Sequence, residues 1–358
     1  MKTYRNLYPQ VYDFENLYRA YRKARRGKRG RAEVARFEAR VEDELFRLQA
    51  ELRNETYQPG RYRHFYIYEP KKRKISAAPF RDRVVHHALV AVIEPIFERR
   101  FIFDSYACRV GKGTHRALAR CTEFVRQYRY VLQCDVAKFF PTIDHAILLA
   151  ILGRTIADRQ VMNLCAKIVA SGAGVLDSER ELHWFPGDDL FAPLRPQGLP
   201  IGNLTSQFWA NVYLNELDQY IKRQLKCRAY VRYADDLLLF HNDKAVLHAW
   251  LADLRAVAAN RLRLLLHPAK CHVFPTATGV PFLGFRHFAA YRRLKRPAVV
   301  RFRRRLRRMQ AGYAAGTISF TQIGDSIRSW CAHAAHGSTY RLRNQLLRQA
   351  VFRPAIQA

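Results

Sequence analysis

Two adjacent carboxylates set between apolar runs constrain this chain more than any other feature. The stretch Arg228-Ala229-Tyr230-Val231-Arg232-Tyr233-Ala234-Asp235-Asp236-Leu237-Leu238-Leu239-Phe240 leads in with aromatic and β-branched residues and leads out with Leu-Leu-Leu-Phe. It predicts a strand, a tight turn carrying Asp235 and Asp236, and a second strand. Two like charges beside an apolar sheet repel, and each loses hydration. A pair of divalent metals roughly 3.5–4 Å apart would resolve both problems. The pattern therefore suggests metal-assisted nucleotidyl transfer.

A second carboxylate lies upstream, in Val131-Leu132-Gln133-Cys134-Asp135-Val136-Ala137-Lys138-Phe139-Phe140. An apolar strand ends at Asp135 and the chain turns. Alone, such an Asp is most often an N-cap or turn residue. Its company changes the reading. Neighbouring strands would bring Asp135, Asp235 and Asp236 to one sheet edge, where they could cradle two Mg²⁺.

Charge points to the partner. Lys and Arg number 62 against 30 Asp and Glu, a formal net charge of +32. Such a surplus repels itself unless a polyanion neutralises it, and nucleic acid is the obvious polyanion. An acidic lipid surface or acidic protein is the plainer alternative, but no amphipathic anchor segment is evident. No apolar run reaches the length of a membrane span, and the polar N-terminus does not read as a signal peptide. Seven scattered cysteines without a Cys-x-x-Cys pair read as reduced thiols of a cytoplasmic protein.

Periodicity divides the chain into three parts. Residues 1–60 read as a basic helical segment. Val34, Phe37, Val41, Leu45, Leu48 and Leu52 form a core-facing stripe. Residues 61–290 mix strands and helices. A strand is expected over Tyr62–Tyr68, then a basic turn Lys71-Lys72-Arg73-Lys74. Helices are expected from Asp82 to Ile93, after Thr142 or Asp144, from Leu204 to Leu225 and over 243–260. Strands are expected over 128–134, Arg261–Leu266 and Val280–Arg286, with loops and short strands over 171–198. Residues 291–358 carry 15 Lys and Arg against one Asp, so a folded, nucleic-acid-facing helical segment is expected there.

These motifs, in this order, resemble the reverse transcriptase family. The resemblance covers roughly residues 60–290 and rests on Lys71-Lys72-Arg73-Lys74-Ile75, Asp82-Arg83-Val84-Val85, Asp135-x-x-x-Phe139-Phe140, Ile201-Gly202-x-x-x-Ser206-Gln207, Tyr233-Ala234-Asp235-Asp236, Lys270 and Phe282-Leu283-Gly284. It implies an α+β, right-hand polymerase fold. Fingers and a palm (an antiparallel sheet backed by helices) would occupy 61–290, and a helical thumb 291–358. Most family members carry Gln-Gly-x-x-x-Ser-Pro before the palm helix; here Ile201 replaces Gln and Gln207 replaces Pro. That departure, with Ser105-Tyr106-Ala107-Cys108-Arg109-Val110-Gly111-Lys112-Gly113-Thr114-His115 and Asn215-Glu216-Leu217-Asp218, is similar to reverse transcriptases of diversity-generating retroelements. Those enzymes make error-prone, adenine-mutagenic cDNA that replaces part of a target gene. The alternatives are a group II intron-type or other bacterial reverse transcriptase of ordinary fidelity, and a non-enzymatic RNA-binding scaffold.

The resemblance also implies roles. Asp135, Asp235 and Asp236, with the Val136 carbonyl, would ligate two Mg²⁺, or Mn²⁺ in their place. Lys270 would protonate the leaving pyrophosphate. Arg73, Lys72 and Lys74 would grip the triphosphate of a dNTP, although a solvated basic turn is the bland reading. Phe140 would pack under the incoming sugar and exclude a 2′-hydroxyl; a core phenylalanine is the alternative. Ile201, Gly202 and Gln207 would border the nascent pair. Ile201 cannot donate the hydrogen bonds of a glutamine, so right and wrong geometry would differ less in energy. Phe282, Leu283 and Gly284 would support the primer end. Arg301, Arg304, Arg305 and Arg308 would track duplex phosphates. Implied partners are template RNA, an RNA–cDNA duplex and a small basic oligomeric accessory protein.

Overall fold

The computed structural model describes residues 2–69 and 72–354. Helices α1 (Tyr8–Tyr12), α2 (Phe14–Arg25), α3 (Ala32–Glu38) and α4 (Val41–Arg53) open the chain. A hairpin follows, β1 (Arg63–Ile67) and β2 (Arg73–Ala77), and then α5 (Phe80–Glu98) and α6 (Thr114–Gln127). Next come β3 (Tyr130–Asp135), α7 (Phe139–Thr142), α8 (His145–Gly153), α9 (Arg159–Ala170) and α10 (Leu204–Arg223). The palm hairpin is β4 (Tyr230–Tyr233) and β5 (Asp236–His241), followed by α11 (Lys244–Leu262) and β6 (His272–Pro275). Strands β7 (Val280–Phe282), β8 (Phe285–His287) and β9 (Arg292–Leu294) lead into α12 (Arg296–Ala314), α13 (Phe320–Ala334) and α14 (Tyr340–Arg348). This is the α+β fold of a right-hand polymerase.

The palm is a four-stranded antiparallel sheet in the order β4-β5-β3-β6. Both faces are covered at the centre of the sheet, which is why β5 carries an unbroken apolar run, Leu237–Phe240, rather than an alternation. Leu132, Cys134, Leu237 and Leu239 pack into the main core, with residues of α5, α10 and α11. Val131, Val231, Leu238 and Phe240 pack on the other side, against Cys121, Phe124 and Val125 of α6 and Val280 and Phe282 of β7. A one-residue register slip would exchange these two sets, so the pairing that places the carboxylates is fixed by packing on both sides. Asp144 caps α8, its carboxylate accepting from the Ile147 N–H at 3.1 Å.

The structure departs from the sequence reading at several points. The stripe from Val34 to Leu52 lies on two helices, broken at Ala39 and Arg40. Arg73 and Lys74 lie on β2 rather than in a turn; Lys71 lies outside the described residues. The expected strand over 261–266 is instead the end of α11, stopped by Arg263 at φ +48, and a loop bridged to Val136. Residues 280–286 form a hairpin. Residues 171–198 form loops with two 3-10 turns rather than short strands. Among the described residues, no helix is long and apolar enough to cross a membrane.

The thumb helices α12–α14 close on a small core of their own. Phe302, Leu306 and Met309 recur along one face of α12 and meet Ile323 and Leu346. Phe302 stacks on Trp330 with centroids 3.7 Å apart. Leu118, Phe285, Leu294 and Ala334 join this unit to α6 and to the β7-β8-β9 sheet.

Candidate active site

Strand pairing assembles the site. Tyr233 and Asp236 are register partners across the β4–β5 turn, in which Ala234 adopts φ +53. Strand β3 runs antiparallel to β5, so Asp135 stands opposite Asp236. Three carboxylates therefore share one edge of the palm sheet.

Burial sets their electrostatics. Desolvation pushes Asp236 up to about 6, and the charges of Asp235 and Asp135 push the same way. Asp235 is also raised, by burial first and then by Asp135. Arg73 and Lys270 offset part of this at Asp235, and Lys295 and Lys270 at Asp236. The Lys270 ammonium donates to the Asp135 carboxylate.

Among the described residues, no group of three or more His, Cys, Asp or Glu side chains stands gathered to hold a metal ion. The donor chemistry nevertheless fits hard divalent cations. It offers three carboxylates, two of which hold protons more tightly than a free side chain because burial, and then the neighbouring carboxylates, penalise their charge. Val136 forms an antiparallel bridge with Leu266. Its neighbours make the hydrogen bonds: Ala137 N–H to the Leu265 carbonyl at 2.8 Å and His267 N–H to the Asp135 carbonyl at 2.7 Å. The Val136 carbonyl is not consumed by that pair of bonds.

A cavity of about 1120 Å³ opens onto the carboxylates. Lys72, Arg73, Val136, Phe140, Ile201 and Lys270 line it with them. Phe140 is half-buried at the start of α7, and its carbonyl accepts from the Leu199 N–H at 2.9 Å. The Ile201 carbonyl accepts from the Ser76 N–H at 2.8 Å. The 199–201 loop is thus pinned between α7 and β2. Gly202 completes the pinning: its φ is +117, and a Cβ there would stand 2.9 Å from the Ile75 Cγ2, closer than side chains tolerate.

Two expected triphosphate or base-pair contacts are placed elsewhere. Lys74 donates from Nζ to the Val175 carbonyl at 2.8 Å, tying β2 to the loop after α9. Gln207, one turn into α10, lines a separate cavity of about 490 Å³ with Lys23, His87, Glu94 and Arg109. The structure does not bring Gln207 to the carboxylates.

Phe282, Leu283 and Gly284 form the β7–β8 corner. Leu283 and Gly284 both have positive φ, +43 and +86, as a two-residue hairpin of matching twist requires. The preceding Pro281 lines the cavity, and its carbonyl accepts from Gln133 Nε2 at 3.2 Å. The Gly284 carbonyl accepts from the Lys295 N–H at 2.9 Å. Arg301, Arg304, Arg305 and Arg308 are exposed on α12, whose buried residues are Phe302, Leu306 and Met309. Arg308 also pairs with Glu69 at 3.4 Å.

Sequence reasoning misses Glu181 and His183, which line the cavity from the 171–198 loop. Glu181 pairs with Lys138 at 2.6 Å. A loop has no periodicity, so no signal marked them. Lys295 was hidden among the many basic residues near it.

Residues 68–287 match the family described as reverse transcriptase (RNA-dependent DNA polymerase). Protein YkfC of Escherichia coli is 29% identical over 293 residues, covering 70% of this chain and 72% of that protein. Group II intron-encoded protein LtrA of Lactococcus lactis is 26% identical over 190 residues, covering 52% of this chain and 29% of LtrA. The putative COX1/OXI3 intron 2 protein of Saccharomyces cerevisiae is 24% identical over 154 residues, covering 43% of this chain and 17% of that protein. The matched region spans less than a third of the last two proteins.

Proposed function

Because the chain belongs to the reverse transcriptase family, we propose that it copies a retroelement template RNA into error-prone cDNA. Its matched region is that of an RNA-directed DNA polymerase. The observation that carries the reading is the juxtaposition of Asp135, Asp235 and Asp236 at the mouth of a basic cavity. These carboxylates, with the Val136 carbonyl, would hold two Mg²⁺, or Mn²⁺ in their place. Bound there, the metals supply Lewis acidity for the primer hydroxyl and for the departing pyrophosphate.

The remaining chemistry belongs to the chain. Arg73 and Lys72 face the cavity and orient the triphosphate through charge-assisted hydrogen bonds. Phe140 lines the same cavity, and its ring would bar a 2′-hydroxyl on the incoming sugar. Lys270 holds a proton beside Asp135 and delivers it to pyrophosphate oxygen as the new phosphodiester bond forms. The exposed α12 arginines grip the RNA–cDNA duplex through its phosphates.

Infidelity is assigned to Ile201. Its side chain faces the cavity, held by the Ser76 and Leu199 hydrogen bonds on either side, and carries no donor for a nascent base pair. The Ile201 and Gln207 substitutions support the retroelement subtype, and with it a basic accessory protein as partner. The second reading is a group II intron-type or other bacterial reverse transcriptase of ordinary fidelity; the similarity to group II intron-encoded protein LtrA favours its group II intron-type form.

Primer extension on a defined RNA template separates these readings. It is run with Mg²⁺, with and without the candidate retroelement RNA and accessory protein, and the products are sequenced. Errors concentrated opposite template adenines support the retroelement reading. Accurate copying by the complete complex selects the second. Asp235→Asn should abolish extension and leave RNA binding intact; retained extension refutes the metal assignment.

A further inference from the structure

Behind the catalytic turn lies a polar cluster sealed from solvent. Arg232 of β4 and Asp218 of α10 are both wholly buried. Arg232 Nε donates to the two Asp218 oxygens at 2.8 and 2.9 Å, and Nη2 adds a bond at 2.7 Å. The Tyr230 hydroxyl donates to the same carboxylate at 2.7 Å. Nη1 takes different partners: it donates to Asn211 Oδ1 at 3.0 Å and to the Ala234 carbonyl at 3.2 Å. Asn211 is itself anchored, donating from Nδ2 to the Ala107 carbonyl at 2.9 Å.

The Ala234 carbonyl occupies a sensitive place. Ala234 directly precedes Asp235 and sits in the left-handed region, which an alanine adopts only when its surroundings impose it. The Arg232 backbone is fixed as well, its N–H donating to the Asp104 carbonyl at 2.9 Å and its carbonyl accepting from the Tyr106 N–H at 3.0 Å.

Stability alone gives little reason for this pair. A buried ion pair can often be replaced by apolar side chains of similar volume without loss of stability. What an apolar pair cannot supply is a donor beneath the turn. We infer that Arg232 is a positioning residue of the polymerase site. Its Nη1 fixes the Ala234 carbonyl, and with it the directions in which Asp235 and Asp236 leave the turn. Asp218 and Asn211 hold the guanidinium in place. The inference rests on the reading of Asp235 and Asp236 as catalytic.

The test compares the wild-type chain with the double variant Arg232→Met/Asp218→Leu and with Arg232→Lys. Thermal melting, template–primer affinity, kcat, KM for dNTP and the Mg²⁺ concentration for half-maximal extension are measured on each. The double variant should melt within a few degrees of wild type and bind template–primer normally. Its kcat should fall roughly 10- to 100-fold, with KM for dNTP little changed and the Mg²⁺ requirement raised several-fold. Arg232→Lys keeps the charge opposite Asp218 but lacks the fork that reaches Ala234, so kcat should fall about tenfold. A folded double variant with wild-type kcat and Mg²⁺ dependence overturns the inference. Should the double variant not fold, the same result in Arg232→Lys overturns it. A wild-type chain inactive in every condition instead removes the polymerase reading, and the inference falls with it.

Discussion

Replacing Asp236 by Asn should stabilise the metal-free protein. Asp236 is partly buried, opposite Asp135 and next to Asp235, and its proton affinity rises from 3.8 to about 6. At about 1.36 kcal/mol for each factor of ten, that rise amounts to about 3 kcal/mol of destabilisation when the carboxylate is ionised. The folded-state value lies above the unfolded one. The penalty is therefore full above about pH 7, shrinks as pH falls through 6, and is gone below 3.8, where both states are protonated. Asn keeps the shape and removes the charge. A chain of 358 residues has an unfolding entropy of about 0.75 kcal/mol/K, so the variant should melt roughly 4 °C higher at pH 7.5. The assay is thermal melting in EDTA from pH 4.5 to 8, with and without added Mg²⁺. The gap between variant and wild type should narrow toward pH 4.5. Mg²⁺ should raise the wild-type midpoint more than that of the variant. A variant less stable than wild type at pH 7.5 in EDTA, or a gap unchanged across the range, would refute the reasoning.

Three other outcomes are expected. Phe140→Ala should reduce discrimination against rNTPs at least tenfold, about 1.4 kcal/mol, in single-nucleotide incorporation; undiminished selectivity would return Phe140 to a packing role. Ile201→Gln should lower misincorporation in sequenced cDNA by a similar factor, and an unchanged error spectrum would remove Ile201 from fidelity. Replacing Arg301, Arg304, Arg305 and Arg308 together by Ala should weaken duplex binding and reduce the slope of log affinity against log salt by about 3. An unaltered slope would place the duplex elsewhere.

The carboxylate edge was legible because its signal is local. An apolar run ending in Asp135, and another interrupted by Asp235 and Asp236, need only antiparallel pairing to converge. Helices α5 and α10 were likewise readable from their spaced apolar residues. What stayed hidden depends on tertiary context. Strands β6 and β9 have four and three residues, too few to establish a period. Residues 261–266 look like a strand, yet Arg263 in the left-handed region ends a helix there. Gln207 follows Ile201 closely in sequence, but the helix that starts at Leu204 carries it to another cavity. In sequence, Arg232 reads as one more residue of a strand. The only signal was an arginine inside an otherwise apolar run, and its meaning required Asp218 on a distant helix.

The separate core of the thumb has a mechanical consequence. Phe302, Leu306, Met309, Ile323 and Leu346 bury themselves against one another, apart from the residues that hold the palm together. A small packing unit opens at lower free energy than the whole molecule. Backbone amides of α12–α14 will therefore exchange with deuterium through openings that leave α5 and α10 protected. A duplex lying along the arginines would slow exchange in the first set and not in the second. If the proposed duplex site is right, these helices could loosen and re-close around nucleic acid without disturbing the sheet that carries the three carboxylates.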